Sequence, residues 1–89
     1  MRAVITVIGK DTVGILARVS TEAAECNANI IDVTQTVMKD LFAMIMLADV
    51  TSLSVDFAEF VSRMKAIGEQ TGLSVHVMHE SIFDSMHRI

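Results

Sequence analysis

Residues 41–50, Leu41-Phe42-Ala43-Met44-Ile45-Met46-Leu47-Ala48-Asp49-Val50, decide the fold of this 89-residue chain. Leu, Ala and Met favour helices in isolation. The stretch nevertheless follows Lys39-Asp40, a candidate two-residue turn, and runs out in Asp49-Val50-Thr51. It reads as the second arm of a β-hairpin, although the turn lacks the favoured glycine. The first arm is residues 29–38, rich in the β-formers Ile30, Ile31, Val33, Thr34, Thr36 and Val37. Upstream, residues 2–9 form a strand-like run of Val4, Ile5, Val7 and Ile8 that ends at Gly9. The turn Gly9 to Gly14 leads into a helix with Leu16, Val19, Ser20, Ala23 and Asn27 at helical spacing. Asp11 or Thr12 is its candidate N-cap, and Ala28-Asn29 its end. Downstream, Asp56 with Glu59 three residues on opens a second helix. Phe57, Phe60, Val61, Met64, Ile67 and Thr71 line one face of it, and Gly72 stops it. Residues 73–80 alternate as a last strand, and residues 81–89 carry Ile82, Phe83, Met86 and Ile89 at the spacing of a short amphipathic helix.

The order β-α-β-β-α-β predicts an α+β, ferredoxin-like fold. Two right-handed strand–helix–strand units form a four-stranded antiparallel sheet with both helices on one face. The first and third strands are then central. The expected organisation is one domain over residues 1–80 with a tail at 81–89 that packs on the same domain or on a partner. In the first strand Ala3, Ile5 and Val7 oppose Val4, Thr6 and Ile8, so both sheet faces are apolar. Met44, Met46 and Met78 are expected on the helix-free face and Met64 in the ordinary core. An apolar sheet face marks an interface, so a second copy is expected over the helix-free face or an apolar sheet edge. The alternative is that the tail helix folds back over that face.

Composition narrows the function classes. Hydrophobic residues make up 52% and charged residues 20% of the chain, and the net charge is −4. The mean hydropathy is +0.51 and the isoelectric point about 5.1. Seven scattered Lys and Arg on an acidic chain give no footprint for nucleic acid or anionic lipid. No apolar run approaches the ~20 residues of a membrane span, and no signal peptide is visible. One cysteine, Cys26, excludes an internal disulfide and multi-cysteine metal sites, which fits a cytoplasmic setting.

The turn into the first helix is the strongest candidate site. A helix N-terminus offers free amide hydrogens and partial positive charge, suited to a carboxylate or phosphate. Gly14 lets a ligand approach the backbone, and Asp11 can accept from an ammonium group. Together they suit an amino acid, while a tight turn with an N-cap accounts for the same residues without a ligand.

"GKDTVGILARVS" (residues 9–20) followed by "NANIIDVTQ" (27–35) resembles the ACT domain, a small-molecule-binding regulatory module. Asp11, Gly14, Ile15, Leu16, Asn29 and Ile30 stand at the positions of the family's loop and second-strand motif, with Val13 where proline is common. The tail "HESIFDSMHRI" (79–89) is similar to the end of standalone prokaryotic ACT proteins of uncharacterised function. The resemblance implies pairing of two chains, with an amino acid held between the first loop of one and strand residues of the other. Carried over, Asp11 and Asn29 make polar contacts. Gly14, Ile15 and Leu16 supply amides and wall, and Thr12, Val13 and Ile30 complete the set. Asn29 reads equally as a left-handed helix C-cap, and Ile15 and Leu16 as core.

Other chemistry is thinner. His76 and His79 point to opposite faces of a strand, and His87 approaches them only if the chain folds back, so no metal site is expected. Cys26 reads as a small buried filler with nothing nearby to lower its pKa. No pair among Asp32, Asp40 and Asp49 suggests acid–base work. Arg18, at a spacing from Gly14 similar to that in acylphosphatases, raises an acyl-phosphate hydrolase as a rival. The Gln35-Thr36 region lacks the asparagine that activity needs, and a solvated helix residue explains Arg18. The expected function is a non-enzymatic regulatory module without a cofactor. It binds a small amino acid at a homodimer interface and passes occupancy to a regulated protein partner. A ligand-free scaffold is the alternative.

Overall fold

A computed structural model describes residues 1–10 and 14–86. The elements are β1 (Arg2–Lys10), α1 (Ile15–Glu25), β2 (Asn29–Met38), β3 (Leu41–Asp49), α2 (Phe57–Thr71), β4 (Ser74–His79) and α3 (Glu80–Met86). The sheet order is β2-β3-β1-β4 with every neighbouring pair antiparallel. This is the ferredoxin-like arrangement with β1 and β3 central. Residues 41–50 are a strand over nine residues, as the tight turn before them requires. Lys39, in the left-handed region at φ 58°, closes the hairpin.

Side chains alternate with period two along a strand, so pairing fixes which face each occupies. Ile5 pairs with Met46 and Val7 with Met44. The row Ala3, Ile5, Val7 therefore shares a face with Phe42, Met44, Met46 and Ala48, and all seven are buried in the core. The expectation that Met44 and Met46 line the helix-free face is thus wrong. Register with β1 turns them inward, and only Met78, paired with Val4, lies on the open face. Met64 is in the core as expected. Val19 and Ala23 of α1 and Phe60, Met64 and Ile67 of α2 complete the core above the sheet.

The helix ends follow local chemistry. Asp56 caps α2 by accepting the Glu59 amide at 2.8 Å, and Gly72 ends it in the left-handed region at φ 75°. Glu59 does not complete a capping box, because its carboxylate accepts from Arg63 at 2.9 Å. Arg63 also reaches Glu22 of α1 at 3.3 Å, tying the two helices across their outer surface. The start of α1 differs from expectation: Gly14, not Asp11 or Thr12, is the N-cap, with φ 81°. Its end differs too. The left-handed residue after α1 is Asn27 at φ 62°, whose side-chain Nδ2 donates to Ser52 O at 2.7 Å. Asn29 is already in β2, paired with Asp49.

The described part of the tail is helical, and α3 lies on the open face. It packs on β1 and β4, and Glu80 pairs with Arg2 at 2.9 Å.

Removing the Asp56 carboxylate should cost about 1 kcal/mol. Asp56→Ala is expected to lower the calorimetric melting temperature by roughly 4–8 °C, and Asp56→Asn, which keeps the acceptor, by much less.

Candidate functional site

β1 ends at Lys10 and α1 begins at Ile15, with Gly14 as its N-cap. Gly14 there is exposed, and a Cβ added to it would meet nothing within 4 Å. Among the described residues no side chain caps the first turn of α1, and the turn has no acidic residue. A helix N-terminus of this kind carries partial positive charge, which suits an anion. Ile15 points the other way and is buried in the core. Leu16, expected in the core from periodicity, is instead 37% exposed beside Gly14. The helix begins at Ile15, and the core stripe runs Ile15, Val19, Ala23, which rotates Leu16 out. Asp11, Thr12 and Val13 lie outside the described residues.

Asn29 is exposed at the start of β2, and Ile30 beside it packs against the core. Within one chain these residues are not near Gly14. Asn29 pairs with Asp49, and Asp49 with Arg2, at the N-terminal end of β1. The α1 turn follows Lys10 at the other end. The eight residue steps between Arg2 and Lys10 span ~26 Å. The sequence motif therefore divides between opposite ends of the sheet.

Asn29 shares its end with a small polar cluster. Thr51 donates its amide to the Asp49 carboxylate at 2.9 Å, and the Met1 ammonium donates to the Thr51 hydroxyl at 2.6 Å. The Thr51 hydroxyl first, then its amide, hold the Asp49 carboxyl below its ordinary value of 3.8, helped by the N-terminal charge and Arg2.

The remaining candidates resolve as structural. His76 pairs with Thr6 on the open face, and His79 stacks on Phe57 of α2 with ring centroids 4.2 Å apart. They face apart, and among the described residues no three His, Cys, Asp or Glu side chains gather to hold a metal ion. His87 lies outside the described residues. Cys26 is buried at the end of α1, 4.0 Å from a Glu22 oxygen, and burial pushes its thiol pKa up. It is a packing residue rather than an activated nucleophile. The Arg18 guanidinium donates to the Gln70 side chain of α2. That contact occupies it on the helix layer rather than at the loop, which weakens the acyl-phosphate reading. No helix among the described residues is long and apolar enough to cross a membrane.

One concavity was not anticipated from sequence. A cleft of about 280 Å3 lies between α3 and the sheet, lined by Thr6, Ile8, Ala43, Met44, Ile45, Met78 and Phe83. The apolar alternation of β1 and β3 was its only sequence signal; the placement of Phe83 needed the fold.

Two predictions follow from this geometry. Gly14→Ala forces a Cβ into the left-handed region at a cost of about 1–2 kcal/mol. The fold should survive with a lowered melting temperature, read by circular dichroism. Asp49 gives stability that is full above pH 3.8 and is lost as pH falls through its depressed folded value. Thr51→Val should therefore flatten the decline of stability below pH 4, measured by urea unfolding across pH.

Comparisons with known proteins agree with the sheet order and the motif. The sequence pattern of the ACT domain matches residues 2–78. A UPF0237 protein of Methanocaldococcus jannaschii is 51% identical over 88 residues, covering 99% of this chain and 98% of that one. An ACT domain protein from Streptococcus pneumoniae superposes with a TM-score of 0.79 at 34% identity, covering 98% of both chains. The ligand-free regulatory subunit of aspartate kinase from Thermus thermophilus shares the fold at a TM-score of 0.67 and 20% identity, over 86% of this chain and 50% of that one. With the β2-β3-β1-β4 sheet beneath two helices and the loop and second-strand motif in place, the chain belongs to the ACT domain family.

Proposed function

We propose that this chain is a non-catalytic regulatory module that binds a small amino acid between two copies paired along β2. ACT folds often serve as small-molecule-binding regulatory modules, and the regulatory subunit of aspartate kinase is one neighbour in structure. The observation that carries the reading is the separation of the motif within one chain. Gly14 and Asn29 lie at opposite ends of the sheet, so one chain alone cannot close both on a small ligand. β2 is one edge of the sheet, ten residues long, with a register irregularity between Ile30 and Asp32 where the Val33 amide donates to the Asp32 carboxylate. Such an edge is a template for another strand. Antiparallel pairing of two β2 strands about a two-fold axis sets Asn29 of one copy toward the Met38 end of the other. That end carries the partner's α1 turn.

In this arrangement the amides after Gly14 receive the ligand carboxylate, and Leu16 forms wall. Asp11, assigned from the sequence motif, accepts from the ammonium group. Asn29 of the second copy contributes its amide, with Ile30 behind it. Thr12 and Val13 complete the loop. Because the ligand touches both chains, occupancy favours pairing and pairing favours occupancy by the same factor. A regulated protein partner in the cytoplasm would read the paired state.

Calorimetric melting against a panel of amino acids tests this reading; the chain has no Trp or Tyr for fluorescence. A ligand at 100 times its Kd adds about 2.7 kcal/mol per site. Two paired 89-residue chains should gain roughly 2–4 °C per kcal/mol. One or two amino acids should shift the transition by several degrees, and Asn29→Ala should abolish the shift while leaving the fold intact. A flat panel on an intact dimer contradicts the ligand and leaves a scaffold.

A further inference from the structure

β2 breaks its ladder at one residue. Ile30 pairs with Ala48 and Asp32 with Leu47, which leaves Ile31 without a partner on β3. Side chains alternate along a regular strand, yet Ile30 and Val33, three positions apart, both pack against the core. The extra residue between them resets the alternation, which makes this a β-bulge. At the bulge the Val33 amide donates to the Asp32 carboxylate at 2.9 Å. Ile31 is 47% exposed on this edge strand.

A bulge can blunt a sheet edge against stray pairing, as charged side chains and proline do. A bulge that served only that end would have no use for a large aliphatic side chain, which makes the edge more adhesive. Bulges also re-aim a side chain beside a binding site. Ile31 lies two residues from Asn29 in β2. In the paired arrangement proposed above, that end of β2 meets the Gly14 end of the other copy, where Leu16 is 37% exposed. Leu16 of one copy and Ile31 of the other then flank the ligand, and neither side chain can donate or accept a hydrogen bond. Asp32, one position on, is exposed and adds negative charge beside them.

We infer that Ile31 selects the ligand by its side chain, and that the ligand class is the amino acids with aliphatic side chains. The inference rests on the paired-chain reading. Backbone amides and Asn29 hold the groups common to all amino acids, so they cannot tell one from another. An aliphatic side chain leaves water between Leu16 and Ile31, which is favourable in proportion to the apolar area covered. Glycine has no side chain to bury there. Serine brings a hydroxyl that neither wall can satisfy. An acidic side chain meets the like charge of Asp32, which works against the wrong ligand rather than for the right one.

Isothermal titration of the full chain with glycine, serine, valine, leucine, isoleucine and aspartate tests this, with folding of each variant checked by circular dichroism. At least one aliphatic amino acid should bind the wild type about tenfold or more tightly than glycine or serine, since each methylene in an apolar pocket is worth about 10–200-fold. Ile31→Ala should lower that preference by about tenfold, and Ile31→Leu should keep it. A merely structural role for Ile31 would weaken every amino acid together and leave the preference unchanged in Ile31→Ala, which overturns the inference. A wild type that prefers glycine, serine or aspartate overturns it too. In both cases binding that is lost in Asn29→Ala leaves the paired-chain reading in place. A wild type that binds none of the six overturns the inference and that reading together.

Discussion

The antiparallel register of β1 with β3 is the constraint on which the rest of the structure depends. Setting Ile5 opposite Met46 and Val7 opposite Met44 collects seven apolar side chains on one face. That face is the floor on which α1 and α2 pack. A slip of one residue would exchange the faces of a whole strand, bringing Thr6 under the helices and Met44 or Met46 into the open. The same register fixes the two ends of the sheet, and with them the separation of Gly14 from Asn29. It also lays out the open face, with Val4, Thr6 and Ile8 against Leu47, Ile45 and Ala43. The core, the separation of Gly14 from Asn29 and the open face all descend from one pairing.

Element order was legible because the turn signals are local. Lys39-Asp40, Asp56 with Glu59, and Gly72 act through their own backbone, and each sits where its chemistry predicts. Residues 41–48 are apolar at every position, so alternation carried no sign of which face was inner. Only pairing with β1 decides that, which is why Met44 and Met46 were misplaced. The cap of α1 escaped for a different reason. Asp11 and Thr12 are better N-caps by propensity than Gly14, but Gly14 takes the left-handed conformation that starts the helix. The same kind of competition moved the left-handed residue after α1 from Asn29 to Asn27.

The candidate site was legible as a motif but not as a geometry. The resemblance set the first loop of one chain against strand residues of the other, and the sheet separates Gly14 from Asn29 within one chain. The open face follows a similar logic. Its apolar character was visible in β1 and β3, but the packing of α3 on β1 and β4 needed the fold.

A mixed-chain binding experiment tests the central claim most directly. Chains carrying Asp11→Ala and chains carrying Asn29→Ala are each made with binding disabled, then unfolded together, refolded and titrated with the amino acid that stabilises the wild type. If the site is built from the loop of one copy and β2 of the other, half of the mixed dimers' sites contain neither substitution. Isothermal titration should then find that fraction binding with wild-type affinity. A mixture that binds no better than either parent contradicts the account.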